Sequence, residues 1–162
     1  MASMAHADNR LVLMTSSGNQ FHVNAYSEDG GKALWSQHVP WGRDNHGGHM
    51  SRPAIVNGVV YVRPFSFDLK GGVPQEQRIP VGGCGTYACT EHALFFRQST
   101  VTVWNRETAK TTTWRRLRPD CWLSTIPAAG MLLSPEGGGG CSCGTWLETS
   151  LGFKPTRRSA SK

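Results

Sequence analysis

Cysteine and histidine are the residues of this 162-residue chain best suited to chemistry. The cysteines are Cys84, Cys89, Cys121, Cys141 and Cys143. Cys141 and Cys143 flank a single residue inside a glycine-rich stretch, a tighter spacing than a zinc half-site normally uses. Two readings follow. In the favoured one, Cys84, Cys121, Cys141 and Cys143 form two disulfides and Cys89 stays a free, buried thiol. In the other, Cys141 and Cys143 join Cys84 or Cys121 and a histidine around zinc or copper. The favoured reading expects no cofactor.

The histidines are His6, His22, His38, His46, His49 and His92. Three of them lie in His38-Val-Pro-Trp-Gly-Arg-Asp-Asn-His46-Gly-Gly-His49, a polar stretch that reads as a long loop between strands. His38, Asp44, His46 and His49 are the candidates for a ligand or metal site there. The plainer alternative is a solvated loop whose histidines bond only to backbone, and it is the expected one.

Other signatures are missing. There is no nucleophile elbow, phosphate loop or zinc-protease motif. The aspartates, at positions 8, 29, 44, 68 and 120, are too scattered for a calcium loop. The formal charge is +6, with basic clusters at Arg115-Arg116-Leu117-Arg118 and Arg157-Arg158. No aromatics interleave with them on a defined face, so a solvated edge and tail are expected, not a nucleic-acid site. No apolar run is long enough for a membrane-spanning helix. The first residues lack the basic and apolar regions of a secretory signal.

The elements that must position these residues are short strands. Glycine is frequent, at 19 residues, and sits between brief apolar runs, which favours tight turns and an all-β fold. Apolar strands are expected at 11–14, 59–62, 93–96 and 131–133. Turn-like lead-ins precede the last three, at 53–58, 84–89 and 126–130. Three later segments share one template: Ala25–Lys32 closed by Trp35, Ser66–Gly72, and Val103–Lys110 closed by Trp114. Each is a strand end, a polar turn and a return strand. Gly30, Gly31, Gly71 and Gly72 supply the turns, with Ala109 in the third. The units begin roughly 35 to 50 residues apart, a spacing typical of propeller blades. The long first interval holds an insertion, Gln37 to Met50, expected as a loop on one face.

The unit "apolar strand, Gly, strand, Ala-x-Asp-x-x-Thr-Gly-Lys-x-x-Trp" resembles the repeat of the pyrroloquinoline-quinone-like (PQQ-like) β-propellers. Ala25–Trp35, Val103–Trp114 and Arg52–Val62 carry the likeness. Arg118–Trp122, Pro127–Gly130 and Gly140–Cys143 are similar to the end of longer bacterial members of that family. The resemblance implies a partial propeller of about three to four blades, each a four-stranded antiparallel sheet. They lie near 9–50, 51–82, 83–118 and 119–155, the first one incomplete, within a domain spanning 1–155. Residues 156–162 are expected as a disordered basic tail. Trp35 and Trp114 are expected to dock one blade on the next rather than to stack on a quinone or sugar. The vicinal cysteine pair and calcium site that surround the cofactor in quinoprotein dehydrogenases have no counterpart here. The expected function is therefore a non-catalytic binding or assembly scaffold, part of a longer protein, with a protein or small-molecule ligand and self-association through open blade edges. The alternative is a remnant of a quinoprotein or metal-dependent oxidoreductase. The resemblance suggests an extracytoplasmic location.

Overall fold

The structure is a computed structural model. It describes residues 2–41, 52–83, 86–98, 100–115, 117, 119, 124–135 and 149–155. Among these residues every regular element is a β-strand, as the dense turn signals predict.

Among the described residues fourteen strands form four antiparallel sheets, and within each sheet the strands lie side by side in chain order. The first sheet holds β1 (Ala2–Ala7), β2 (Arg10–Ser17), β3 (Gln20–Ser27) and β4 (Ala33–Pro40). The second holds β5 (Ala54–Val56), β6 (Val59–Val62) and β7 (Phe65–Asp68), with a single extra rung from Phe67 to Pro74. The third holds β8 (Tyr87–Cys89), β9 (Ala93–Arg97), β10 (Val101–Asn105) and β11 (Thr111–Trp114). The fourth holds β12 (Ile126–Ala128), β13 (Met131–Ser134) and β14 (Leu151–Phe153). The leading strands of successive sheets are neighbours: β1 lies against β5, β5 against β8, and β8 against β12.

Three expectations need correction. The first unit is complete, because β1 pairs along its whole length with β2. Its Ala-Ser-Met-Ala-His-Ala sequence has weak strand propensity and is held by that ladder. Among the described residues two sheets have three named strands, not four; in the second of the four sheets the outer rung falls on Pro74, which cannot donate a further ladder bond. Finally, Gln37 to Pro40 are strand rather than the start of a loop, because β4 continues to pair with β3.

The shared turn template is real at the level of the backbone. The amides of Ser27, Asp68 and Asn105 donate to the carbonyls of Lys32, Val73 and Lys110 at 2.8, 2.8 and 2.9 Å. The amides one residue later, of Glu28, Leu69 and Arg106, donate to Asn9, Gly58 and His92 at 2.9, 2.8 and 2.9 Å. These pairs superimpose three sheets residue by residue. Gly31, Gly72 and Ala109 all take positive φ, at 64°, 70° and 54°. Gly71 does not; its amide is held by the Asp68 carboxylate at 2.6 Å.

The same superposition explains the core. Val12, Met14, Phe21, Val23 and Ala25 of the first sheet pack on Val60, Val62, Phe67 and Leu69 of the second. The other face of the second sheet meets the third, where Tyr61 packs with Leu94, Phe96 and Trp104. Trp35 bridges the first junction. Its indole Nε1 donates to the Leu69 carbonyl at 2.9 Å, and its ring lies 6.2 Å from Phe67. The ring also covers Gly72, where a Cβ would stand 2.6 Å from Trp35 Cδ2. Glycine is required at that position for space as well as for φ. Trp114 also meets an aromatic ring of the following sheet, stacking on Phe153 of the fourth with centroids 5.2 Å apart.

Urea unfolding tests this junction. Trp35→Ala should lower stability by about 2–4 kcal/mol. Gly72→Ala should lower it by roughly 1–3 kcal/mol from backbone strain, plus the cost of displacing the indole. Gly31→Ala, at a similar φ with nothing within 4 Å of its Cβ, should carry the backbone cost alone. Equal losses for the two glycine variants would show that the indole contact contributes nothing.

Candidate functional site

The predicted ligand residues divide sharply. Asp44, His46, His49, Cys84, Cys121, Cys141 and Cys143 lie outside the described residues, as does the tail. His38 is described, and it stands on β4 directly opposite His22 of β3. The two rings meet edge to face with centroids 4.6 Å apart, and His22 Nε2 shares a hydrogen bond with Ser17 Oγ at 3.0 Å. Among the described residues no three histidine, cysteine or acidic side chains cluster closely enough to hold a metal. Gly30 and Gly31 form the first-sheet turn with open space at both α-carbons.

Two features converge polar chemistry or leave a surface uncovered. One is the outer face of the first sheet. By register, Leu11, Leu13, Tyr26 and Glu28 correspond to Val60, Val62, Phe67 and Leu69, the residues that receive the first sheet on the second. In the second sheet that face is buried; in the first it is half-exposed, and Met4 beside Leu13 is 68% exposed. Gly31 and the Glu28 carbonyl stand where Gly72 and the Leu69 carbonyl hold Trp35. Near this face the exposed side chains of His6 and Glu28 meet at 3.1 Å.

The other feature is the junction of the second and third sheets. The Trp35 contact is not repeated there. At the position matching Trp35 the outer chain of the second sheet carries Gln75, whose amide bonds to the Ser66 carbonyl at 2.9 Å. At the position matching Leu69 the third sheet carries Arg106. The Arg106 Nε donates to the Tyr61 hydroxyl at 2.6 Å, Nη2 donates to the Val56 carbonyl at 3.3 Å, and Nη1 donates to the Glu91 carbonyl. Arg106 thus ties three segments together through one planar fork. Tyr87 donates to the Tyr61 carbonyl at 2.6 Å. A second arginine, Arg63, is 4% exposed and lies 4.0 Å over the Phe96 ring. It donates to the Pro80 carbonyl at 2.7 Å and to the Gly82 carbonyl.

These partners are neutral, and burial dominates the electrostatics. It lowers Arg63 to about 10, which still leaves the guanidinium charged at neutral pH. Burial raises the Tyr87 phenol well above its ordinary value, and neighbouring Cys89 adds to the shift. Burial also pushes the Cys89 thiol up to about 12, against the opposing pull of Arg106. Cys89 is a free thiol, as expected, although half-buried rather than fully enclosed. The sequence offered no cue that Arg106 would meet Tyr61 or that Arg63 would be buried over Phe96. Their only shared signal is an arginine or tyrosine at positions that are apolar in the neighbouring repeat.

The raised thiol has a consequence for pH. Below about pH 9 Cys89 is protonated in both folded and unfolded chains. Above it the unfolded thiol ionises while the folded one resists until about 12, so its contribution to stability falls as pH rises through that window. Chemical unfolding at stepped pH should show a shallower alkaline decline for Cys89→Ala than for the natural chain. Peptide-mapped alkylation at pH 8.5 should find Cys89 at least about tenfold slower in the folded than in the unfolded chain. A scan against protein-family models and a search of curated proteins both found no match to this chain.

Proposed function

We propose that the four sheets are consecutive blades of an incomplete PQQ-like β-propeller, and that the chain is a non-catalytic scaffold that assembles through its open first sheet. Three observations support the blade reading. The sheets follow one another in chain order, their leading strands are neighbours, and three of them share one turn. Trp35 and Trp114 each lie against an aromatic ring of the following sheet, the first tilted and the second stacked.

The scaffold reading rests on the outer face of the first sheet. It repeats, position for position, a face that is buried one sheet later. Met4, Leu11, Leu13 and Tyr26 give it enough apolar surface to gain from leaving water. The proposed occupant is a second copy of the same chain, which would cover this face as its counterpart is covered one sheet later. Sedimentation velocity should show a concentration-dependent dimer. Leu13→Asp should return it to monomer while preserving the β-sheet circular dichroism. A chain that stays monomeric at high micromolar concentration, or a Leu13→Asp variant that dimerises as well as the natural chain, would overturn the proposal.

A further inference from the structure

Between the second and third sheets, where Gln75 stands at the position matching Trp35, lies a pocket of about 420 Å³. We infer that this pocket binds a small planar aromatic carboxylate. The inference does not depend on how the first sheet assembles, because the pocket lies wholly within one chain.

Three observations carry it. The first is shape. The pocket occupies the place that the Trp35 indole fills one junction earlier, with Gln75 standing at the tryptophan position. Its apolar wall is Trp104 and Tyr61, at 2% and 4% exposure, so a flat ring entering it meets aromatic surface.

The second is an excess of donors. The Tyr61 hydroxyl accepts a bond from Arg106, and its own proton has no acceptor among the described residues. The Ser66 hydroxyl, on a residue 4% exposed, lines the pocket without a hydrogen-bond partner among the described residues. Arg106 uses three of its N–H groups on neutral oxygens and keeps the rest. Donors that line an open pocket without a protein acceptor are available to an acceptor on a ligand.

The third is charge. Arg106 brings a positive charge to the lining, and its described partners carry none. A carboxylate accepts from a guanidinium and hydroxyls together, with charge-assisted bonds. The single acidic group in the lining is the exposed Glu76 at the rim, which opposes an anion weakly.

Indole-3-acetate is the probe, titrated into isotope-labelled full chain and followed by amide and indole NMR signals. Saturable shifts are expected at Tyr61, Ser66 and the Trp104 indole. Neutral indole should bind at least about tenfold more weakly, the loss of one charge-assisted contact. Glu76→Gln should tighten binding, and Gln75→Trp should abolish it by placing an indole in the pocket. Gln75→Phe, a smaller ring at the same exposed position, partly fills the pocket if Gln75→Trp fails to fold, and should weaken binding. Absence of saturable shifts in the natural chain overturns the inference. So does binding that survives Gln75→Trp, and equal affinity for indole and indole-3-acetate removes the carboxylate from it.

Discussion

A sheet whose strands carry apolar side chains on both faces must be covered twice. That constraint governs this molecule. The second sheet shows it most directly, since Val60, Val62 and Phe67 point to the first sheet while Tyr61 points to the third. Each sheet is therefore incomplete without neighbours, and stacking them in chain order is the shortest connection that satisfies the requirement. The Trp35 indole secures the first of these contacts with one hydrogen bond and a broad apolar surface laid on Gly72. Moving that glycine in sequence would leave the indole without a flat surface to rest on.

The same turn serves different chemistry at successive junctions. Its backbone hydrogen bonds hardly change, but the residue after the strand end changes from Glu28 to Leu69 to Arg106. Where it is leucine, its carbonyl receives an indole. Where it is arginine, the side chain reaches back to the preceding sheet and bonds Tyr61 and Val56. The junction is then held by directional polar contacts, and the volume an indole would have filled stays open. Arg63 adds a second buried guanidinium over Phe96, compensated by backbone carbonyls and a ring face in place of a carboxylate. Such an arrangement holds a positive charge inside the protein without neutralising it.

Legibility from sequence varied with the range of the interaction. The second strand of every sheet was legible, because runs such as Val59–Val62 and Met131–Ser134 are short, apolar and bounded by turn residues. The repeated turn was legible because Asp-Gly and Gly-Gly have few other uses. β1 was not, since alanine, serine and histidine announce nothing until β2 pairs with them. His38 has the polar neighbours of a loop residue, yet β3 extends far enough to pair it with His22. The candidate site was least legible of all.

Local chemistry by itself determined the all-β class, the turn positions and the rhythm of the repeat, because strand and turn preferences act between residues close in the chain. Only the tertiary structure decided which faces are covered, that Trp35 rests on Gly72, and that Arg106 meets Tyr61 across 45 residues of chain. Those outcomes depend on how whole sheets stack. The stacking energy belongs to side chains that approach one another only after every strand is in register.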